Sequence, residues 1–370
     1  MLTKFEVENF KSFNENFVFD LSYTKNYEFN PECVNNGAVN KALIYGANGC
    51  GKSNLGFAIF DLVSHLTDKE FAHEYYKDNY LNAESNKDIA KFKFHFKFDS
   101  SVVEYSYGKK SYEFIEYENL KINDNNVVKY VRGNPVEINL KGAETLNTDL
   151  GDSKLSALKY IRSNAVLDKR NKTNKILDSF FSFVDKMLFF RSLNENNFIG
   201  YEIGSRHILE DILEKGHIEE FEIFLNEAGI VCQLKAIKIN GKKEIAFKFG
   251  AKAIRFQEIA STGTESLALF YFWLQRLKEN NNVSFVFIDE FDAFYHHKLS
   301  TLIVSELKKI TSQVILSTHN TSIMSNDLLR PDCYFIMHDN QITPIYKFTD
   351  KELRFAHNIE KMYRAGAFSV

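Results

Sequence analysis

Gly46-Ala47-Asn48-Gly49-Cys50-Gly51-Lys52-Ser53 has the pattern G-x-x-x-x-G-K-S, running into Asn54. Glycines at these spacings let successive backbone N–H groups turn toward an anion. An amine and a hydroxyl follow directly. Lys52 suits a bridge between the β- and γ-phosphates of a nucleoside triphosphate, and Ser53 suits a ligand of Mg²⁺. The thiol of Cys50 lies inside the loop at a helix terminus, a setting that suits a reactive cysteine or redox switch. The plainer reading of Cys50 is a neutral occupant of a variable position.

A second set of chemistry stands in the C-terminal third. Val283-Ser284-Phe285-Val286-Phe287-Ile288-Asp289-Glu290 is an apolar run ending in two carboxylates. Asp289 is placed to hold Mg²⁺, directly or through water, and Glu290 to act as general base on an attacking water. A core strand capped by a solvated acidic pair is the bland alternative. Val314-Ile315-Leu316-Ser317-Thr318-His319-Asn320 is a similar run ending in a histidine, whose neutral ring suits a γ-phosphate sensor. Ser261-Thr262-Gly263-Thr264-Glu265 opens an apolar helical pattern, with Thr262 and Glu265 at capping-box spacing. Its exposed N–H groups form a second candidate phosphate-binding end, suited to a neighbouring subunit's nucleotide, or simply a well-capped core helix.

The elements that must carry these groups follow from periodicity. Ala42-Leu43-Ile44-Tyr45 predicts a buried strand before the phosphate loop, and Leu55, Ile59, Leu62 and Leu66 mark one face of a helix after it. Residues 5–10 alternate with period two, as do Phe92, Phe94, Phe96 and Phe98, and residues 103–107, 112–117 and 127–131 look alike. Short alternating strands in succession predict an antiparallel sheet beside the nucleotide strand. From residue 154 to 225 the period turns helical, through Leu155, Leu158, Ile161, Ile176, Phe180, Phe183 and Met187, then from His207 onward. Asn240-Gly241 between apolar alternations predicts a hairpin with a type I′ turn. The expected division is 1–140 for a first part with the phosphate loop and antiparallel strands, 141–230 for a helical insertion that is a candidate lid or arm, and 231–370 for the remainder.

With 370 residues, 44% hydrophobic and 26% charged, the chain has room for a large core. A net charge of -3 excludes a uniformly basic nucleic-acid binder but leaves room for a local patch. One such cluster is Lys235, Lys238, Lys242, Lys243, Lys248, Lys252 and Arg255, although a charge run on strands is usually a solvated face. Cys33, Cys50, Cys232 and Cys333 are scattered and read as free thiols in a reducing cytosol. The expected location is cytoplasmic, since residues 1–6 lack a signal-peptide pattern and the longest apolar run is too short to span a bilayer. His296-His297 beside Tyr295 lacks spaced partner ligands and reads as helix surface.

Together these motifs resemble the ATP-binding-cassette type of ATPase head found in the SMC and RecF group. The implied fold is an α/β P-loop NTPase with a mixed core sheet, an antiparallel β-subdomain and a helical insertion. Asn9-Phe10-Lys11-Ser12-Phe13 resembles the group's N-terminal basic motif, which gives Lys11 a cation's place beside the nucleotide. Ser261 and Gly263 match the signature motif that closes on a partner's γ-phosphate, Asp292 the D-loop aspartate, and His319 the switch histidine. No Q-loop glutamine can be placed.

The signature form Ser-Thr-Gly-Thr-Glu-Ser and the ending Asn358-Ile359-Glu360-Lys361-Met362-Tyr363-Arg364-Ala365-Gly366 are most similar to bacterial ATPases of the abortive-infection and overcoming-lysogenization-defect type. That resemblance implies a homodimer or larger assembly sandwiching ATP and Mg²⁺. It also implies a switch in phage defence acting on a separately encoded nuclease or toxin. The acids after His319, such as Asp327, Asp332, Asp339 and Asp350, are too dispersed for a nuclease within the chain. A DNA-maintenance ATPase binding duplex DNA is the alternative; a transporter subunit fits poorly.

Overall fold

A computed structural model of the chain describes residues 1–69, 77–191, 198–200, 208–278, 283–292 and 297–368. In chain order the strands are β1 (Leu2–Glu8), β2 (Phe17–Asp20), β3 (Val34–Asn35), β4 (Ala38–Val39), β5 (Lys41–Tyr45), β6 (Ala90–Phe98) and β7 (Ser101–Ser111). They continue with β8 (Phe114–Ile122), β9 (Asn125–Val131), β10 (Glu137–Ile138), β11 (Met187–Arg191), β12 (Phe198–Gly200) and β13 (Leu234–Ile239). The last are β14 (Lys242–Phe249), β15 (Lys252–Arg255), β16 (Phe285–Asp289), β17 (Gln313–Thr318), β18 (Tyr334–His338) and β19 (Gln341–Pro344).

Two seven-stranded sheets organise the molecule. The first, ordered β10-β9-β8-β7-β6-β1-β2, is antiparallel throughout. Its alternation is that of Phe92, Phe94 and Phe96, all buried, with Lys91, Lys93 and His95 between them on the opposite face. The second is ordered β12-β11-β16-β17-β5-β18-β19, and its centre from β11 to β18 is parallel. Strands β5, β16 and β17 are buried at every position, as strands covered on both faces must be. The C-terminal ends of β5, β16 and β17 therefore lie side by side, where ligands of open α/β sheets bind. The expected mixed α/β architecture with an antiparallel subdomain is what the chain adopts.

The stretch 141–230 departs from expectation. Helices Ala157–Asn164, Lys172–Asp185, Ile208–Glu214 and Ile218–Glu227 do fill much of it. Yet Met187–Arg191 is a strand inserted into the core sheet, parallel to β16. The run Met187-Leu188-Phe189-Phe190 continues a helical period and also suits a doubly covered strand, so pattern alone cannot choose. The stretch is thus not a purely helical insertion, because it supplies part of the core. Portions at 192–197 and 201–207, with the expected start of a helix at His207, lie outside the described residues.

The Asn240–Gly241 hairpin forms as expected, with both residues at positive φ (48° and 83°) between β13 and β14. With β15 these strands make a three-stranded sheet. Among the described residues, no helix is long and apolar enough to cross a membrane. Helix Thr262–Lys278 packs on helices Ile208–Glu214 and Ile218–Glu227. It buries the sole tryptophan, Trp273, whose ring lies 6.5 Å from that of Phe190 at 15°.

The helix after the phosphate loop, Lys52–Leu66, joins the two sheets through buried polar groups. His65 is buried, with Nε2 2.7 Å from the Tyr105 hydroxyl and Nδ1 3.2 Å from the Asp61 carbonyl. Burial, followed by the nearby Lys109 ammonium, holds its pKa well below 6.5. As pH falls through about 6.5 the unfolded chain takes a proton that native His65 refuses, so stability is lost on the acid side. Glu118, whose carboxyl burial pushes up, acts in the opposite sense. Thermal unfolding from about pH 8 to about pH 5 should therefore show a smaller acid loss for His65→Gln than for the wild type.

Candidate functional site

The phosphate loop leaves the buried end of β5 and closes on the helix beginning at Lys52. Two of its glycines are demanded by close approach. A Cβ on Gly46 would stand 2.6 Å from the Met337 carbonyl oxygen, and one on Gly51 would stand 2.9 Å from Ser12 Oγ. Gly51 also has φ +104°, a conformation that side chains resist. It is the helix N-cap without any side-chain cap, so the first-turn N–H groups are not satisfied in the usual way. Ala47, Asn48 and Gly49 face solvent, and Cys50 is half-buried.

Lys52 is buried and folds back over its own loop, donating to the carbonyls of Gly46 (2.9 Å) and Ala47 (3.0 Å). Burial lowers its pKa, against the opposing pull of Cys50, Asp289 and Glu290. The ammonium thus spans the cradle that a phosphate chain would fill.

Ser53 donates to Asp289 Oδ2 at 2.6 Å. Asp289, fully buried at the end of β16, takes a second hydrogen bond on Oδ1 from Ser317 Oγ at 2.7 Å. The same Ser317 hydroxyl accepts the Glu290 N–H at 2.8 Å. Ser317 was not singled out by sequence, because a serine within an apolar strand carries no motif. Glu290 stands at φ +48°, a left-handed conformation that costs a non-glycine residue about 1–2 kcal/mol. Its Oε1 lies 3.7 Å from His319 Nε2, and its Oε2 is buried without a hydrogen-bond partner. Asp292 is buried, with Oδ1 accepting from Thr318 Oγ1 at 2.7 Å and Oδ2 without a hydrogen-bond partner. Burial raises its pKa.

The turn at Lys11-Ser12-Phe13 lies against the loop, since Ser12 Oγ accepts from Asn54 Nδ2 at 2.9 Å and Phe13 approaches Gly51. Lys52, Ser53, Asn54, Asp289, Glu290, Asp292 and His319 are thereby gathered with the Lys11 turn around the C-terminal ends of the inner strands β5, β16 and β17. Ser261 and Gly263 are not joined to this group. Their helix starts at Thr262, and Ser261 caps it by accepting from Thr264 N at 3.2 Å. That corrects the capping-box expectation: the cap is Ser261, one residue before Thr262. Ser261 is exposed, as a surface for a second molecule would be. His297 begins a helix and contacts Ser322 Oγ through Nδ1 at 2.8 Å, while Tyr295 and His296 lie outside the described residues.

The donor set fits a nucleoside triphosphate and a hard cation. A serine hydroxyl and an aspartate oxygen already 2.6 Å apart are oxygen ligands of the kind Mg²⁺ takes. The loop glycines, the folded-back amine and the uncapped helix N–H groups suit phosphate oxygens.

The seven basic residues of the expected patch divide between two faces. Strand register puts Lys235, Lys242, Lys248 and Arg255 on one face, and Lys238, Lys243 and Lys252 on the other with buried Leu234, Ile245 and Phe247. Arg255 is also ion-paired with Glu258.

Residues 41–325 match the family model described as "AAA domain, putative AbiEii toxin, Type IV TA system". No curated protein matches the chain. Among solved structures, it is similar to an Smc head bound to the C-winged helix domain of ScpA, at 18% identity over 92% of this chain and 96% of that one, TM-score 0.47. The SMC head domain from Thermotoga maritima matches at 16% identity over 93% and 98%, TM-score 0.42. The recombination mediator RecF with ATP matches at 12% over 93% and 98%, TM-score 0.39.

Proposed function

Because the chain belongs to this AAA-domain family of P-loop ATPases, we propose that it binds and hydrolyses ATP as a dimerising switch controlling a separately encoded effector. The observation that carries the chemistry is the chain Ser53–Asp289–Ser317–Glu290, which joins the phosphate loop to the general base through three short hydrogen bonds. Ser53 and Asp289 would hold Mg²⁺, which when bound neutralises phosphate charge. Lys52 and the N–H groups of residues 46–54 bind the phosphates. Glu290 takes the proton of an attacking water, and its backbone, pinned by Ser317, fixes the carboxylate's direction. His319, within reach of Glu290, senses the γ-phosphate; Asp292 is its buried neighbour through Thr318.

Ser261, exposed, and Gly263, half-buried, both separate from their own chain's loop, close on a partner's γ-phosphate in this reading, giving a homodimer or larger assembly with two ATP molecules. A switch of this kind works because γ-phosphate contacts are present in one state and lost in the other. The family description, with its toxin and toxin–antitoxin terms, supports a role in antiviral defence with a toxin as effector; a cytoplasmic location and a nuclease as the effector belong to the same proposal.

Ser261→Ala tests the arrangement in trans. It should slow ATP turnover while leaving the Kd of the monomer for ATP unchanged, at a capping cost of about 1 kcal/mol in stability. A weakened monomer Kd would put the motif in cis and refute the sandwich. The DNA-maintenance alternative draws only on the face bearing Lys235, Lys242, Lys248 and Arg255. Salt-dependent affinity for duplex DNA would favour it.

A further inference from the structure

Lys11 is held on three sides by one short segment. Its N–H donates to the Tyr80 carbonyl at 3.1 Å, its carbonyl accepts from Asn82 Nδ2 at 2.6 Å, and its Nζ donates to the Asp78 carbonyl at 3.1 Å. These bonds hold a backbone at φ +47°, a conformation lysine avoids unless its surroundings impose it. The next residue, Ser12, touches the phosphate loop through Asn54 and Gly51. Whatever fixes residues 78–82 therefore fixes the angle at which the Lys11 turn meets the loop.

That anchor is Asp61. The Tyr80 hydroxyl donates to Asp61 Oδ1 at 2.9 Å, and the Tyr80 ring stands edge-on to Phe10 at 5.1 Å. Asp61 is fully buried and its Oδ2 takes Lys109 Nζ at 2.8 Å and Tyr107 OH at 2.9 Å. Lys109 is equally buried, so the carboxylate is locked in one orientation by a fixed cation and two phenols. Asp61 belongs to the same helix that begins with Lys52, about 14 Å further along its axis. One rigid helix thus bears Lys52 at its start and, nine residues later, the anchor of the Lys11 turn.

We propose that Asp61, acting through Tyr80, is a positioning residue for nucleotide binding: it ties the Lys11 turn to the helix that carries the phosphate loop. The inference rests on the nucleotide-binding reading above. It assigns a task to a buried ionic group that the hydrolytic chemistry does not use.

The test is a double-mutant cycle read as the Kd for a fluorescent N-methylanthraniloyl ATP on the full chain. Tyr80→Phe removes the link and leaves Asp61 with Lys109 and Tyr107. It should raise Kd about five-fold in the wild-type background and have no effect once Lys11 is alanine. The loss in melting temperature, a purely structural effect, should be the same in both backgrounds. Asn82→Ala, which withdraws the donor to the Lys11 carbonyl at a half-buried position, should reproduce the pattern with less strain on the fold. Equal Kd changes in both backgrounds, or none in either, would overturn the positioning role while leaving ATP binding intact. A wild-type protein that does not bind the nucleotide would overturn both readings together.

Discussion

Glu290→Gln is expected to slow ATP hydrolysis by about 10²- to 10⁴-fold, the usual worth of a positioned general base. Its affinity for ATP should be nearly unchanged. Glutamine keeps the shape of the side chain and cannot accept a proton from water. The structure gives the substitution little else to disturb. The residue's N–H stays with Ser317, and its left-handed backbone, which only a surrounding scaffold makes tenable, stays with the chain. ATP-bound dimers should accumulate, visible as an ATP-dependent increase in mass by sedimentation. A variant that turns over at the wild-type rate would remove Glu290 from the chemistry, leaving its strained turn unexplained. The trapped form is also the bait of choice for recovering an effector: a nuclease or toxin held with it supports the defence switch, and duplex DNA alone, released by salt, supports the alternative.

Lys52→Ala should raise the Kd for ATP by about 100-fold. A charged hydrogen bond is worth about 1.5–3 kcal/mol, and the amine has the reach for two phosphate oxygens. The two carbonyl contacts it makes with Gly46 and Ala47 are neighbours along its own chain and exposed to exchange with water at Ala47. Their loss should change thermal stability little without nucleotide. Titration calorimetry with ATP and Mg²⁺ measures the first expectation and a thermal melt without nucleotide the second. An unchanged Kd would place the phosphates elsewhere.

Where local chemistry and local structure coincide, the chain could be read directly. The phosphate loop is flanked by a strand and a helix of the right periods, and Asp289, Glu290 and His319 sit just where apolar strand runs stop. Asn240-Gly241 encodes its own turn. The groups that escaped reading are those whose meaning is set across the fold. Ser317 is a polar residue in a core strand until β17 pairs beside β16 and brings its hydroxyl between Asp289 and the Glu290 N–H. Asp61 looks like an ordinary interruption of an apolar helix, and Lys109 like a strand-end lysine. Their partnership spans 48 residues and depends on how the antiparallel sheet lies over the helix. Met187-Leu188-Phe189-Phe190 failed for a different reason, because a fully covered strand has no alternation to reveal it.

The single tryptophan has a practical consequence. Trp273 is sealed in the helix that starts just after Ser261, against Phe190 of the core sheet and beneath the Arg276 guanidinium. The protein therefore contains one indole, which red-edge excitation separates from its 18 tyrosines, located on the element proposed to meet a partner in the sandwich. Its emission can follow that helix against the core in real time, without labels and during turnover. The proposed engagement between subunits and the proposed hydrolysis at the loop thereby become separately testable.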